Sequence, residues 1–338
     1  MPRVLVAGKI HDAALAVLRS RTDLEVVVIE DPGTQLPADE IARADAILIR
    51  YGVLTAEAAA EAKFLRIVSR HGVGCDNLPV AALSARGIPV TIVGAVTAVS
   101  VAEQAFAMIL AAVKRLTEYD RAVRNGNWAI RDSLGTAELS GKTLLVLGCG
   151  RIGREVAKRA VAFDMKVLAF DPGVSRADAQ AAGVQKIDQW RDVLGDVDVL
   201  SLHLPLTEET RNVIDSAVLV ALKATAIVVN TARGGLIDED GLFNALTTRM
   251  ANGAACLDTF ALEPPDLSHP LFGLPNVVLS PHSAALTAEA ARRMGVVAAQ
   301  NVLNGLDGKL DPALIFNRQA LQARTGPKSA GTTNIGAA

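Results

Sequence analysis

The chain has 338 residues, enough for two domains, and half of them are hydrophobic, so a large core can be built. A net charge of −2 without any long Lys/Arg run argues against a nucleic-acid duplex or an anionic membrane as partner, and only 4% aromatic residues leave little for stacking on single-stranded bases. Three scattered cysteines, Cys75, Cys149 and Cys256, match no zinc spacing and are odd in number, which excludes a full disulfide framework, and no metal site is expected. Met1-Pro2-Arg3 runs directly into apolar Val4-Leu5-Val6-Ala7, so no leader is expected, and no apolar run is long enough to span a bilayer. A reducing, cytoplasmic location is expected.

Residues 3–7, 24–29, 46–50, 65–69 and 89–93 read as strands, and 11–19 and 55–62 as helices. Such alternation predicts a parallel sheet covered by helices on both faces. The run Arg70-His71-Gly72-Val73-Gly74-Cys75-Asp76-Asn77 follows the fourth strand, at the kind of strand end where open α/β sheets bind ligands. Its glycines would let backbone N–H groups face a carboxylate. A plain turn with Asp76 or Asn77 capping a helix reads equally well.

Residues 100–116 are apolar nearly all round and predict a buried helix that ends in a polar stretch, 119–127; the helix is read as a connector between domains that also packs against something large. A second long helix, 287–303, is rich in Ala and Val and precedes Asn304-Gly305. Two such helices flanking the middle of the chain suggest a discontinuous first domain, with the chain crossing out and back. The expected division is 1–99 with 285–317, then 100–284. Residues 318–338 have no apolar period and are expected to be a mobile tail.

The middle of the chain is organised around residues 142–171. An apolar run, Leu144 to Leu147, is followed by Gly148, Gly150 and Gly153 in G-x-G-x-x-G spacing. A helical pattern then places Ile152, Val156 and Ala160 four apart, and a second apolar run ends in Asp171, 18 positions after Gly153. This is the strand–turn–helix–strand context of a dinucleotide fingerprint. The first glycine permits the tight turn, the second lets a pyrophosphate approach the backbone, and the third lets helix and strand pack closely. The helix N-terminus offers amides and a positive dipole end to the phosphates. Asp171 stands where an acid accepts both ribose hydroxyls of NAD and repels the 2′-phosphate of NADP. Arg176 is near enough in sequence to meet such a phosphate, which keeps an NADPH-preferring enzyme as an alternative.

Further strands are read at 197–202, 226–230, 254–257 and 277–279, and each ends in polar residues. Three titratable or charged groups stand out at these ends: Arg233, Glu263 and His282. Reduction of a 2-keto acid by hydride needs a cation to hold the carboxylate and polarise the carbonyl, which an Arg fork does well. It also needs an acid for the carbonyl oxygen, and His titrates in the useful range. A carboxylate beside the His would raise its pKa and fix its tautomer. Taken singly, each has a plainer reading: a capped loop histidine, a surface ion pair and a solvated loop acid.

Taken together, the chain resembles the D-isomer-specific 2-hydroxyacid dehydrogenase family over about residues 3–317. The resemblance rests on Gly72-Val73-Gly74-x-Asp76-Asn77, Val101-Ala102-Glu103, Gly148-x-Gly150-Arg151-Ile152-Gly153 and His203-Leu204-Pro205-Leu206-Thr207. It continues through Asn230-Thr231-Ala232-Arg233-Gly234-Gly235, Leu257-Asp258-Thr259-Phe260, Glu263-Pro264-Pro265 and Pro281-His282-Ser283-Ala284-Ala285. It implies an α/β fold of two Rossmann-like domains with parallel sheets and a cleft between them. Residues 1–99 with 285–317 would form a discontinuous, flavodoxin-like substrate-binding domain, and 100–284 the NAD-binding domain. It implies that Arg233 binds and polarises the substrate, that His282 is the general acid/base and that Glu263 is its partner. Arg151 and Ile152 would meet the pyrophosphate, Asp171 the ribose, and Leu204, Pro205, Thr231, Ala232 and Asp258 would line the cofactor, Asp258 near the nicotinamide amide. Val73 and Gly74 would bind the substrate carboxylate by backbone. A homodimer is implied, with NAD as cofactor and hydroxypyruvate, glyoxylate or 3-phosphoglycerate as candidate substrates.

The chain departs from the family pattern at Thr97, where Asn is usual, and at Gln104, where His is usual, so the pocket is expected to differ in shape. The loop after the third strand, Arg50-Tyr51-Gly52-Val53, carries one basic residue where phosphoglycerate-specific relatives commonly carry more, and Arg70 and His71 are expected to supplement it. The same fold also carries non-catalytic NAD-sensing binding proteins, and the presence of Arg233, Glu263 and His282 together favours catalysis over that alternative.

Overall fold

The structure is a computed structural model that describes residues 1–325. The chain divides into two compact units, one formed by residues 1–96 and the segment from Ala288 onward, the other by Thr97–Thr287.

The first unit holds a five-stranded parallel sheet of β1 (Arg3–Ala7), β2 (Glu25–Ile29), β3 (Ala46–Ile49), β4 (Ile67–Arg70) and β5 (Val90–Thr91), in the order β2-β1-β3-β4-β5. Val4–Ala7 of β1 and the whole of β3 are apolar because both faces are covered. Alternate residues point to opposite sides. Leu5, Ala7, Ile47, Ile49 and Val68 pack with Ile41, Ala59 and Leu83 on one face. Val4, Val6, Ala46, Leu48 and Ile67 pack with Ala14, Leu18, Met294 and Val302 on the other. That second face is covered by the helices Asp12–Arg19 and Ala288–Leu306, so the returning chain completes the core begun by the first strands. Each large aliphatic side chain fully buried this way contributes about 1.5–3 kcal/mol.

The second unit holds seven parallel strands: β6 (Thr143–Leu147), β7 (Lys166–Phe170), β8 (Gln185–Lys186), β9 (Val199–Leu202), β10 (Ile227–Asn230), β11 (Ala254–Leu257) and β12 (Val277–Leu279). The order is β12-β11-β10-β9-β6-β7-β8, so the connections leave β6 in one direction and return through β9 in the other. Leu144, Val146, Val167 and Val229 face the helices Ala98–Val113 and Arg151–Ala162, and Leu145, Leu147, Leu200 and Leu257 face the opposite core with Val218 and Leu242.

Several expectations change. The helix Ala98–Val113 is not buried all round, since Val99, Glu103 and Ala107 are exposed. It ends before Arg115, whose backbone is left-handed, and residues 119–127 lie mostly in a second helix, Leu116–Arg124. The long C-terminal helix runs through Asn304 and Gly305, where Ile67 packs closely, and ends at Leu306. The first part of the expected mobile tail is helical, Arg318–Thr325, and the rest of that expectation falls outside the described residues. Asp76 and Asn77 cap no helix: the next one starts at Val80 after Pro79, and the Asn77 amide donates to Gly52 O. Among the described residues no helix is long and apolar enough to cross a membrane, and no group of three His, Cys, Asp or Glu could hold a metal ion.

Candidate active site

Parallel pairing fixes where the site residues of the second unit stand. Leu147 is in register with Phe170 and Leu202, Leu202 with Asn230, Asn230 with Leu257, and Leu257 with Leu279. The residues that follow these strand ends therefore emerge along one edge: Gly148, Asp171, His203, Thr231, Asp258 and Ser280. Carboxyl ends beside a reversal of strand order are the usual ligand crevice of an open sheet, and here the reversal lies between β6 and β9.

The fingerprint turn fits a dinucleotide. Gly148 has φ +92° and lies so close to His203 that an added Cβ would sit 2.5 Å from its carbonyl oxygen. Gly153 packs on the Gly148 carbonyl, with only 2.1 Å available to a Cβ. Gly150 faces open space and caps the helix Arg151–Ala162 without a side-chain hydrogen bond, so the amides of Arg151 and Ile152 have no acceptor within the helix. Asp171 accepts from Cys149 N and Gly173 N, each at 2.8 Å, which fixes its carboxylate against the turn. Buried polar atoms without partners, Thr231 Oγ1 and His203 Nδ1, lie after the neighbouring strands. Enclosure pushes the His203 imidazole down to about 4 by loss of hydration, so it is neutral at pH 7 and its Nε2 pairs with Ser201 Oγ at 2.9 Å. Leu204 closes on Gly148 from the side, while Pro205 is exposed and Ala232 half-buried. Arg176 is already paired with Asp188 at the surface.

The three candidate catalytic groups stand on this same unit. His282 Nδ1 lies 2.7 Å from Glu263 Oε2, and Glu263 Oε1 accepts from Phe260 N at 3.1 Å. A carboxylate only accepts, so Nδ1 donates and Nε2 is the nitrogen left to exchange a proton. Partial burial pushes the Glu263 carboxyl up. The His282 and Phe260 hydrogen bonds, with the charges of His282 and Arg233, outweigh it and hold the group below its ordinary value. Arg233 has extended backbone, and its Nη1 donates to Ala232 O at 2.7 Å.

Sequence reasoning did not find the groups that hold this arrangement. The buried Asn230 side chain brackets the arginine turn, donating to Arg233 O at 2.7 Å and accepting from Ala232 N at 3.0 Å. Gly234 lies flat against the backbone of Phe260 and Ala261, so the Arg233 turn touches the loop that carries Glu263. His282 has a left-handed backbone, φ +50°, a conformation unfavourable to a residue with a Cβ. Asp258 stabilises it: its carbonyl accepts from His282 N at 2.7 Å, and its fully buried carboxylate accepts from Ser283 N at 2.9 Å and Ala284 N at 3.0 Å. Asp258, expected near the nicotinamide amide, thus holds the histidine turn through its carboxylate.

Val73 and Gly74 lie in the other unit, in the turn after β4, with Val73 exposed. Arg70 braces that turn, donating to Gly74 O at 2.9 Å and to Arg50 O at 2.8 Å. His71 is buried, and loss of hydration together with the positive charges of Arg50 and Arg70 pushes it down to about 4. The expectation that His71 supplements Arg50 as a phosphate-binding cation is therefore corrected, since its ring is uncharged at neutral pH, while Arg70 stands braced by backbone carbonyls.

Comparison with known proteins agrees with this geometry. The family described as D-isomer specific 2-hydroxyacid dehydrogenase, NAD binding domain, matches residues 106–284. The chain is 39% identical over 307 residues to D-3-phosphoglycerate dehydrogenase of Archaeoglobus fulgidus, covering 90% of this chain but only 58% of the relative. It is 38% identical over 335 residues to glyoxylate reductase of Aeropyrum pernix, covering 96% of this chain and 98% of that one. The solved D-lactate dehydrogenase of Aquifex aeolicus, complexed with NAD and lactic acid, superposes with a TM-score of 0.82 at 28% identity, over 96% of this chain and 100% of the other. A fingerprint turn, an arginine turn and a Glu–His pair on one sheet edge, with full-length similarity of this order, have one reading: the chain belongs to the D-isomer-specific 2-hydroxyacid dehydrogenase family.

Proposed function

We propose that the protein transfers hydride reversibly between NAD(H) and a small 2-hydroxy or 2-keto acid of the glyoxylate, hydroxypyruvate or 3-phosphoglycerate class. The observation that carries this reading is the 2.7 Å Glu263–His282 pair on the same sheet edge as the fingerprint turn. When bound, the nicotinamide supplies the hydride. The chain's own groups supply the rest. Arg233 holds the substrate carboxylate and draws electron density from the carbonyl. His282 gives its Nε2 proton to the carbonyl oxygen, while Glu263 keeps Nδ1 protonated and stabilises the imidazolium. Arg151 and Ile152 hold the pyrophosphate by backbone, Asp171 the ribose, and Leu204, Pro205, Thr231, Ala232 and Asp258 line the cofactor. Val73 and Gly74 hold the substrate carboxylate through their amides. Asp171, braced by two amides, favours NAD, and Arg176, the cation that would favour NADP, is paired with Asp188. Association into a homodimer is part of the same proposal.

The experiment is turnover with NADH and with NADPH against a panel of 2-keto acids, with 3-phosphoglycerate plus NAD run in reverse. The expected result is turnover of one small acid with NADH preferred. Tight NADH binding with no turnover across the panel would overturn it in favour of a sensor.

A further inference from the structure

We propose that Gln104 is a positioning residue for the His282 imidazole, acting through the hydroxyls of Ser280 and Ser283. This rests on the reading of His282 as the proton donor.

The helix Ala98–Val113 presents three groups at i, i+4 spacing, which places them on one face. Two of them meet the segment 280–287 that carries His282, and the third meets strand β11. Ser100 Oγ is 3.1 Å from Thr287 Oγ1, and Gln104 Nε2 donates to Ser280 Oγ at 3.1 Å. Met108 O accepts from Cys256 Sγ at 3.3 Å. The helix thus grips residues 280–287 at both ends of the segment holding His282.

The middle contact continues inward. Ser280 Oγ is 3.1 Å from Ser283 Oγ, and Ser283 N donates to the Asp258 carboxylate. His282 N is shared between Asp258 O and Ser280 O, at 2.7 and 3.1 Å. The histidine turn is therefore held from two sides, by the Asp258 carboxylate and by a chain of three neutral side chains ending at Gln104. Ser280 is 8% exposed, so its hydroxyl depends on these partners rather than on water.

A left-handed histidine has a neighbouring, better-populated right-handed or extended well to relax into. Removing the amide at 104 leaves the Ser280 hydroxyl without its donor and frees it to swing from Ser283, which loosens the turn on that side. An amide also carries no charge at any pH, so this side of the turn does not titrate, unlike the histidine usual at this position.

The test uses ring carbon and nitrogen resonances of His282 in histidine-labelled full-length protein, for wild type, Gln104→Leu, Ser280→Ala and the double variant. The expected result is a displaced or exchange-broadened His282 ring in each single variant, with His71 and His203 unmoved. The double variant should show no more than the larger single effect, because the groups act as one chain. Under turnover, kcat should fall about tenfold with the KM for NADH unchanged, the size of one lost hydrogen bond. His282 resonances superimposable on wild type in folded Gln104→Leu would overturn the proposal. So would displacement of all the histidines together, which would mean a general structural role. A wild-type protein that turns over no keto acid would count against the oxidoreductase reading alone, since the ring resonances still decide the role of Gln104.

Discussion

Replacing Gly234 by Ala tests whether the arginine turn and the Glu263 loop act as one rigid piece. A Cβ at 234 would lie 1.8 Å from the Phe260 carbonyl carbon, 2.0 Å from its oxygen and 2.3 Å from Ala261 N. All three are backbone atoms, so no side chain can rotate away. Ordinary contact begins at 3.4 Å, so one loop must move by about 1.6 Å relative to the other. Arg233 immediately precedes Gly234, and Phe260 N holds Glu263, which in turn orients His282. Misplacement of reacting groups by about 1 Å costs about a hundredfold in rate, and overpacking costs about 1–3 kcal/mol of stability. Gly234→Ala should therefore lower kcat/KM for the keto acid at least about a hundredfold. NADH affinity, measured by titration of nicotinamide fluorescence, should fall less than kcat/KM, because the fingerprint turn and Asp171 are on other strands and only Thr231, Ala232 and Asp258 of the cofactor site lie beside the displaced loops. Wild-type kcat/KM in the folded variant would refute the reasoning.

Further outcomes follow from the same geometry. Asp258→Asn keeps the shape but offers one acceptor to two amides, so it should cost about 1–3 kcal/mol. It should also speed hydrogen exchange at the Ser283 and Ala284 amides, and unchanged exchange there would contradict the bracket. Asp171→Ala should weaken NADH binding about tenfold, as about 1.4 kcal/mol of hydrogen bonding would, and raise the NADPH/NADH ratio; an unchanged ratio would remove Asp171 from cofactor choice. His71 has a folded-state pKa near 4 against 6.5 unfolded, so between those values the unfolded chain binds the extra proton. Its contribution is intact above 6.5 and is lost as the pH falls toward 4, by about 1.4 kcal/mol per unit. Urea unfolding of wild type should thus weaken over that window more steeply than that of His71→Gln, and equal slopes would count against a buried neutral ring.

Much of the fold is legible in the chain because local and global preferences agree. Apolar runs such as Leu144 to Leu147 and Ala46 to Ile49 are buried on both faces and read as strands without help. The fingerprint is legible because its glycines answer to local geometry and Asp171 ends a strand. The features that escape depend on partners far away in sequence. Gly234 reads as a flexible turn until Phe260 is seen against it. Asn230 and Asp258 read as motif letters, while their work is to hold backbone at 232–233 and 282–284. Arg70 reads as a free cation, and only the fold brings the carbonyls of Arg50 and Gly74 to it. The two-residue strand Gln185–Lys186 is too short for a periodic signal to stand out. Residues 318–325 lack an apolar period, yet the start of their helix follows Asn317, which is buried and bonded to Ser84, Ile88 and Val90.

The central claim is that His282 supplies the proton while the fingerprint turn separately holds the cofactor. Steady-state turnover of His282→Ala, with the keto acid that wild type reduces best and with NADH affinity measured in parallel, tests it most directly. The account predicts a kcat lower by at least about a hundredfold with NADH binding retained. Wild-type turnover in that variant would contradict it.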